Sequence, residues 1–194
     1  MNSPKTVPPR SGFRELLIGC GHARDKRLWM PGPTKLTEFQ NLTTLDSDAS
    51  CKPDLVFDMN NPQSDWDWLL KSVAERFDEV HAYEVLEHIG RQGDAPGFFQ
   101  FFWNLWGLLK PGGHLLATVP SRFSPWLWGD PGHTRAILPE SLHFLDQTVY
   151  PGVAPQSDYR WCYKGDFKIV RSEDDRTLHR FILQAVKPAR IKTA

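Results

Sequence analysis

A glycine-flanked turn is the first feature of the sequence that could bind a ligand. The apolar run Arg14–Cys20 leads into Gly19-Cys20-Gly21 and is typical of a buried strand that turns sharply at its end. Glycine permits the tight turn and lets a ligand approach the backbone without meeting a Cβ. A dinucleotide-binding fingerprint would place a third glycine at position 24, where the sequence has Arg24. The turn therefore predicts a ligand site, but not one for the pyrophosphate of NAD.

An acidic residue follows the second predicted strand. Leu42–Leu45 ends at Asp46, and in parallel sheets an acid at this place accepts hydrogen bonds from ribose hydroxyls. Asp48 competes for the same role. In the structural alternative, the carboxylate only caps the loop that follows.

A second acidic residue follows the third predicted strand. Asp54–Phe57 leads into Asp58, which could meet the amino group of an adenine, with Asn60 and Asn61 as nearby alternatives. The structural alternative is an Asx-turn that starts the next loop.

A long aromatic loop carries the candidates for catalysis. It runs from the end of the fifth predicted strand to Arg135, and long loops in compact domains are often functional. His133 is the candidate general base because imidazole titrates near neutral pH, and Asp130 could orient it. Arg135 could bind an anionic substrate. The alternatives are that His133 only fixes the loop and that the aromatic side chains pack on the sheet edge instead of lining a pocket.

The surrounding elements predict an α/β fold with a mostly parallel sheet. Residues 1–12 are expected to form a flexible tail, and residues 13–190 a single domain. The first helix is expected to be short, since the stretch from His22 to Leu42 is rich in proline and basic residues. The remaining predictions are a helix at Trp66–Phe77 capped by Ser64 or Asp65, a strand at Glu79–Tyr83, a helix at Phe98–Leu109 stopped by Pro111-Gly112-Gly113, a strand at His114–Val119, and a final antiparallel hairpin of Phe167–Arg171 and Leu178–Val186.

The order of several short motifs identifies a family resemblance. The motifs are Leu17-Ile18-Gly19-Cys20-Gly21, Asp46, Phe77-Asp78-Glu79-Val80, Glu84-Val85-Leu86-Glu87-His88-Ile89, Leu109-Lys110-Pro111-Gly112-Gly113 and Val119-Pro120-Ser121. Over roughly residues 14–120 this series resembles class I S-adenosylmethionine-dependent methyltransferases, and the segment Asp130–Arg135 is similar to one in some small bacterial and phage-type members. The resemblance implies a Rossmann-like, seven-stranded sheet with helices on both faces and a C-terminal antiparallel hairpin.

The resemblance also implies a cofactor site for S-adenosylmethionine. Its residues would be Gly19, Cys20, Gly21, Asp46, Asp58, Glu84 and Val85. Gly19 and Gly21 would bracket the methionine part, Asp46 would hold the ribose and Asp58 would lie by the adenine. Glu84 and Val85 would lie beside the sulfonium end and the substrate. For Glu87 and His88 we favour a structural role at the start of the following helix.

Two positions depart from the family pattern. Leu17 stands where an acid often lies near the cofactor's amino group, and Ala23 replaces a frequent glycine. The first change favours an alternative in which the protein is a catalytically silent cofactor-binding or interaction module. A nicotinamide oxidoreductase is a further alternative, opposed by Arg24.

The amino-acid composition limits the kinds of binding partner and the cellular compartment that we expect. The 194 residues carry 23 basic and 23 acidic side chains, so the basic excess of most nucleic-acid-binding proteins is missing. The three cysteines form no CxxC pair, and we predict no metal site. We expect neither a signal peptide nor a membrane span, and a cytoplasmic location.

The methyl acceptor is predicted only by class. Tyr83-Glu84-Val85-Leu86 stands where amine-methylating DNA enzymes carry a Pro-Pro motif, and the sequence has no Pro-Cys nucleophile. These features favour a small molecule, sugar or glycan over nucleic acid. The predicted helix Phe98–Leu109 is apolar nearly all round, so we expect the tail or a second subunit to cover it, with a homodimer as the hypothesis.

Overall fold

The computed structural model describes residues 12–32, 36–73, 75–153 and 157–190. Apart from Gly12, the tail predicted at residues 1–12 lies outside the described residues. The strands within the described ranges are β1 Glu15–Ile18, β2 Leu42–Asp46, β3 Leu55–Val56, β4 Phe77–Tyr83, β5 Leu109–Pro120, β6 Phe167–Asp174 and β7 Leu178–Ala185. The α-helices are α1 Gln63–Ser72, α2 Ala95–Leu108, α3 Trp126–Gly129, α4 Pro139–His143 and α5 Tyr150–Val153, and short 3-10 helices span Ala49–Cys51 and Leu86–His88.

All seven strands of the described chain form one sheet in the order β3-β2-β1-β4-β5-β7-β6. Strands β1 to β5 are parallel, whereas β7 is antiparallel to both β5 and β6. The α/β class, the seven-stranded mixed sheet and the final hairpin are therefore confirmed. The strand order reverses direction at β1, which lies between β2 and β4, and such a switch point leaves a crevice at the carboxyl ends of the strands.

The helices cover one face of the sheet. Leu16 and Ile18 of β1 point to the large core on this face, where Trp66 and Leu69 of α1 and the buried side of α2 pack against them. Over residues 22–32 and 36–41 the connection from β1 to β2 is not helical, and its sequence, interrupted by prolines and a glycine, has no apolar period of 3.6 residues.

The opposite face differs from the expectation of helices on both faces. Leu17 and Tyr83 are covered there by Leu28, Met30 and Phe39, which belong to the connection between β1 and β2. In the described residues of that connection there is no helix. A chain without helical periodicity thus takes the place of the first helix.

A buried polar cluster fixes this connection to the sheet. The ammonium of Lys26 lies 2.6 Å from a carboxylate oxygen of Glu15 and 3.2 Å from one of Glu79. His81 Nε2 lies 3.0 Å from the same oxygen of Glu15, whose second oxygen accepts from the backbone N–H of Gln40. Burial alone would raise the pKa of Glu15, but the hydrogen bonds from His81, Lys26 and Gln40 outweigh it and lower the pKa to about 2. The connection is therefore held by charge-assisted hydrogen bonds as well as by apolar contacts.

The helix predicted at Trp66–Phe77 begins and ends earlier than expected. Helix α1 follows Pro62, which makes no side-chain cap, so the caps expected from Ser64 or Asp65 are wrong. Phe77 belongs to β4, where it pairs with Leu109 and is fully buried. Apolar residues continue from α1 into β4, so the sequence pattern does not mark where the helix ends.

The helix predicted at Phe98–Leu109 is also displaced toward the N-terminus. Asp94 caps α2 by accepting a hydrogen bond from the backbone N–H of Gly97, and β5 begins directly after the helix at Leu109. The residues Pro111-Gly112-Gly113 interrupt the pairing of β5 with β4 instead of preceding the strand. A Cβ on Gly113 would lie 3.0 Å from the carbonyl oxygens of Phe77 and Asp78, a tight contact with backbone atoms, so this close approach favours glycine.

The apolar surface of α2 is covered by later segments of the same chain. Phe99 packs against Tyr159 and Tyr163, with ring centroids 4.9 and 5.2 Å away. The indole N–H of Trp106 donates to the carbonyl of Val186, and the Lys187 ammonium lies 4.4 Å from the centroid of the indole ring. Contacts within one chain therefore cover much of the apolar surface that suggested a homodimer. The homodimer stays a prediction. Among the described residues, no helix has the length and apolar character needed to cross a membrane.

Candidate functional site

A cleft of about 300 Å³ opens at the carboxyl ends of β1, β2, β3 and β4. It lies at the switch point of the sheet, where open α/β proteins bind their ligands. The residues that line it are Gly19, Gly21, Asp46, Ser47, Phe57, Asp58, Met59, Asn60, Glu84, Val85, His88 and Ile89. The fold thus brings together six of the seven residues predicted for the cofactor, and we call this the first cleft.

Gly19 allows two loops to touch at the floor of the first cleft. Its φ is +63°, and a Cβ there would lie 2.6 Å from Cγ2 of Val85. Both the left-handed backbone and the close approach require glycine. Gly21 also has a positive φ, but a Cβ on it would meet no atom within 4 Å, so its backbone faces open space.

Asp46 ties the turn after β1 to the end of β2. One oxygen of its carboxylate accepts a hydrogen bond of 2.8 Å from the backbone N–H of Gly21, and the other accepts one of 2.9 Å from the N–H of Asp48. Asp48 instead caps the 3-10 helix Ala49–Cys51 and does not line the cleft. Of the two acids that compete for the ribose, Asp46 is the one placed in the cleft.

Asp58 forms an Asx-turn at the rim of the first cleft. Its carboxylate accepts from the backbone N–H of Asn60, as the structural alternative expects, and its side chain is exposed at the rim. The amide of Asn60 in turn accepts from the N–H of Gly90, which joins the loop after β3 to the loop after β4. Asp58 therefore has a structural role, and it also faces the cleft.

Cys20 takes a different direction from its two glycine neighbours. Its side chain is buried in the second face of the sheet beside Leu17 and Leu28, and it does not line the first cleft. Burial raises the pKa of the thiol, and the negative charge of Asp46 adds to the rise. Any contribution of Cys20 to a ligand would come from its backbone.

Glu84 is a strained residue at the end of β4. Its φ is +55°, which is uncommon for a residue with a Cβ and is concentrated at functional sites. Its N–H donates to the carbonyl of Thr118, and its carboxylate lies 3.0 Å from the guanidinium of Arg27. This left-handed backbone conformation turns the chain so that Glu84 and Val85 both line the cleft.

A second cleft of about 350 Å³ adjoins the first and shares Glu84 and His88 with it. The remaining residues that line it are Glu87, Pro120, Ser124, Trp126, Asp130, His133, Thr177 and Leu178. Because the two clefts share a wall, a ligand in one lies next to a ligand in the other.

The predicted pair of His133 and Asp130 lies in the second cleft. His133 Nε2 lies 3.8 Å from a carboxylate oxygen of Asp130, too far for a hydrogen bond, and the other oxygen of Asp130 accepts from the N–H of Gly132. The second ring nitrogen of His133, Nδ1, lies 3.3 Å from the carbonyl of Leu127. The loop rather than Asp130 therefore orients the imidazole.

Glu87 is the buried carboxylate of the second cleft. Its residue surface is 1% exposed, and neither carboxylate oxygen has a hydrogen-bond partner in the part of the chain that the structure describes. The structural role expected for its side chain is therefore wrong: Glu87 lies in the first turn of the 3-10 helix Leu86–His88, but its carboxylate makes no hydrogen bond to that helix. Burial raises the pKa of Glu87 to about 7, and the negative charges of Glu84 and Asp130 add to the rise.

The backbone of Glu87 anchors the loop that carries His133. Its carbonyl accepts hydrogen bonds from the N–H groups of Thr134 and Arg135. His88 Nδ1 lies 3.0 Å from the carbonyl of Gly132, and the rings of His88 and His133 meet edge to face with centroids 4.6 Å apart. The segment after β4 and the loop after β5 thus form one unit.

Arg135 is not available to an anionic substrate in the way we expected. It is 5% exposed, and its guanidinium donates to the carbonyls of Arg91 and Asp94 while lying over the ring of Phe98. The aromatic residues of the same loop are exposed, and Trp126, at 67% exposure, lines the second cleft.

Comparison with known proteins gives matches at the level of structure. No protein-family model matches the sequence, and no curated protein sequence does. A SAM-dependent methyltransferase from Archaeoglobus fulgidus matches with a TM-score of 0.52 and 14% identity, over 90% of this chain and 86% of the other. An S-adenosylmethionine-dependent methyltransferase from Clostridium acetobutylicum matches with a TM-score of 0.53 and 11% identity, over 89% and 84%. The chain has the fold of S-adenosylmethionine-dependent methyltransferases.

The N-methyltransferase NodS from Bradyrhizobium japonicum gives a similar match, with a TM-score of 0.51 and 16% identity over 90% of this chain and 86% of the other.

Some residues of the two clefts were not predicted from the sequence. The apolar wall of the first cleft, formed by Phe57, Met59 and Ile89, is one such group. Thr177 and Leu178, which reach the second cleft from the final hairpin, form another. The signal for Glu87 was present in the sequence as an acid in an apolar segment, but only the returning loop reveals its burial.

Proposed function

We propose that this protein is an S-adenosylmethionine-dependent methyltransferase that acts on a small molecule, sugar or glycan. The observation that carries the proposal is the first cleft, in which Gly19, Gly21, Asp46 and Glu84 converge from three strand ends at the switch point. The shared fold with methyltransferases supports the same reaction class.

The first cleft fits the cofactor. A Cβ on Gly21 would meet no atom within 4 Å, so the backbone there leaves room for a ligand, and the Asp46 carboxylate keeps lone pairs free beside its two backbone bonds. Phe57, Met59 and Ile89 provide an apolar wall, which suits a flat purine ring.

The residues of the first cleft would divide the work of binding. Asp46 would accept hydrogen bonds from ribose hydroxyls, and the carboxylate of Asp58 would face the adenine amino group. Gly19 and Gly21 would line the methionine part. S-adenosylmethionine would supply an already activated methyl group, so the chain's own task is to align the acceptor and exclude water.

The second cleft would hold the acceptor. It shares Glu84 and His88 with the cofactor cleft, and Trp126 could stack on a ring of the acceptor. Three carboxylates, those of Glu84, Glu87 and Asp130, face this region. The negative charges of Glu84 and Asp130, to which Glu87 adds when it is ionised, disfavour a phosphate-rich acceptor and support a small molecule, sugar or glycan over nucleic acid.

His133 and Asp130 are the candidates for taking a proton from the acceptor. His133 is nearly buried beside the acceptor cleft, and Asp130, whose side chain is 46% exposed, connects the site to solvent. A base is needed only if the acceptor atom arrives protonated.

The proposal is tested by calorimetric titration of the protein with S-adenosylmethionine, S-adenosylhomocysteine and NADH. We expect micromolar binding of the first two and none of NADH, followed by transfer of a labelled methyl group to a component of a small-molecule or glycan pool. Cofactor binding without transfer to any pool would support the silent module, and binding of NADH alone would support an oxidoreductase. Failure of all three ligands to bind would contradict the proposal.

A further inference from the structure

We propose that Glu87, His88 and His133 form a binding site for one divalent transition-metal ion in the second cleft. Each residue offers a ligand atom, and these atoms lie within 4.8 Å of one another. Two of the residues come from the segment after β4 and one from the loop after β5, so the site closes only in the folded chain. The site lies in the cleft proposed for the acceptor, but the contacts that define it do not depend on the methyltransferase reaction.

The Glu87 carboxylate is the first indication of a bound ion. It is almost fully buried, it lines the second cleft, and both of its oxygens lack a hydrogen-bond partner among the described residues. A buried carboxylate without a partner is costly, and proteins normally pair it or use it to coordinate a metal. Both oxygens are therefore free to coordinate an ion from the cleft.

The orientation of the two imidazoles is the second indication. Nδ1 of His88 lies 3.0 Å from the carbonyl of Gly132, and Nδ1 of His133 lies 3.3 Å from the carbonyl of Leu127. A carbonyl can only accept, so each contact places the proton on Nδ1 and leaves Nε2 with a lone pair. Histidines that bind metals are held in this way, because the bond from the other nitrogen fixes the tautomer and the ring.

The spacing of the donor atoms is the third indication. His133 Nε2 lies 3.9 Å from Oε1 of Glu87. Metal bonds of about 2.0–2.2 Å place neighbouring ligand atoms about 3–3.5 Å apart, so the three donor atoms would have to move closer together when an ion binds. Asp130, 3.8 Å from the same nitrogen, lies beside these three ligands and could accept a hydrogen bond from a molecule bound to the metal.

The donor set selects the kind of ion. Two imidazoles and one carboxylate suit Zn²⁺, Mn²⁺, Fe²⁺ or Co²⁺, whereas Mg²⁺ and Ca²⁺ prefer oxygen donors. Three protein ligands leave at least one coordination position for water or a substrate oxygen, as in catalytic rather than structural sites.

A second cluster of similar composition has its charge balanced by the chain itself. Glu15, Glu79 and His81 also lie close together, but the ammonium of Lys26 already occupies the position between the two carboxylates. A metal ion there would have to displace this lysine. In the second cleft, the described residues place no lysine or arginine on Glu87.

The metal site also narrows the chemical class of the methyl acceptor, and this step rests on the proposed function. A hydroxyl bound to a divalent cation loses its proton at lower pH than a free one. The O–H bond would break with its electrons staying on oxygen, and the proton would pass to the carboxylate of Asp130. We therefore infer that the acceptor atom is a hydroxyl oxygen, and that His133 acts as a ligand rather than as the base.

The experiment is a titration of the metal-free protein with Zn²⁺ by calorimetry and with Co²⁺ by visible absorption. We expect one ion per chain with micromolar or tighter affinity, and a Co²⁺ spectrum typical of nitrogen and oxygen ligands. Glu87→Gln and His133→Gln should each weaken binding at least tenfold. His114→Gln is the matched control, since His114 lies in the middle of β5, does not line the second cleft and should leave binding unchanged.

The outcomes separate this proposal from the proposed function. Glu87→Gln keeps the size of the side chain, and circular dichroism and the melting temperature of each variant verify folding. Equal binding by the wild type and Glu87→Gln, or no binding by the wild type, would overturn the metal site. S-adenosylhomocysteine is titrated into the same samples, so a failed metal site with intact cofactor binding leaves the methyltransferase proposal standing.

Discussion

Replacement of Asp46 by alanine tests the cofactor cleft through two quantities that the structure links. The carboxylate accepts hydrogen bonds of 2.8 and 2.9 Å from the backbone N–H groups of Gly21 and Asp48. The site is half-buried, so the released N–H groups can reach water, and each lost bond should cost about 1 kcal/mol. We expect Asp46→Ala to lower the free energy of unfolding by about 1–3 kcal/mol.

The same change should also weaken cofactor binding. It removes the acceptor for the ribose and releases the Gly21 turn, so the loss should reach about 1–3 kcal/mol, or about 5- to 150-fold in the dissociation constant. Urea denaturation gives the stability, and calorimetric titration with S-adenosylhomocysteine gives the affinity of the folded variant.

Asp48→Ala is the matched control for this prediction. Asp48 lies two residues away and caps the 3-10 helix Ala49–Cys51, but it does not line the cleft. The control should lose stability with little change in affinity. A folded Asp46→Ala variant that binds within about twofold of the wild type, or an Asp48→Ala variant that loses as much affinity, would refute the assignment.

Further predictions concern the loops and the polar cluster. Gly19→Ala should cost about 2–4 kcal/mol in urea denaturation, from the positive φ and from the 2.6 Å approach to Val85, and adding Val85→Ala should recover only the packing part; no recovery would mean that the clash is absent. Because the pKa of Glu15 is lowered to about 2, its stabilising contribution is complete above about pH 4.5 and is lost as the pH falls toward 2. Glu15→Gln should therefore destabilise the protein by up to about 3 kcal/mol at pH 7 and flatten the acid limb of the stability curve, and an unchanged acid limb would contradict the role of the cluster. Asn60→Ala should cost about 1 kcal/mol and speed hydrogen exchange at the amide of Gly90, which its side chain now protects, whereas unchanged exchange would show that the bond is not formed.

The sequence predicts the strand ends of the site well, and the reason is local. A buried parallel strand is a short apolar run, and its end is marked by a glycine or an acid that cannot continue it. Gly19, Gly21, Asp46 and Glu84 could therefore be placed at one edge of the sheet before their contacts were known. The parallel arrangement then brings these ends together without further information.

Features that depend on distant contacts could not be predicted in the same way. From the sequence, Glu87 is predicted to be a polar residue at a helix start. Its carboxylate is buried only because the distant loop that carries Thr134 folds back and bonds to the Glu87 carbonyl. Likewise, Lys26 lies in a stretch without periodicity, and only the pairing of β1 with β4 brings Glu15 and Glu79 together to receive it. Local propensity contains no signal for either contact.

The wall shared by the two clefts has a thermodynamic consequence. Glu84 and His88 line both cavities, so a ligand that shifts either side chain changes the energy of binding in the neighbouring cavity. Such coupling is reciprocal: if a ligand in the second cleft changes the affinity of the first by some factor, a ligand in the first must change the affinity of the second by the same factor. The strained φ of Glu84 is one source of such coupling. If one ligand relieves the strain energy, that energy can no longer contribute to binding of the other. The two cavities should therefore fill as a cooperative or an antagonistic pair, and two titrations carried out in opposite order would have to agree on the coupling free energy.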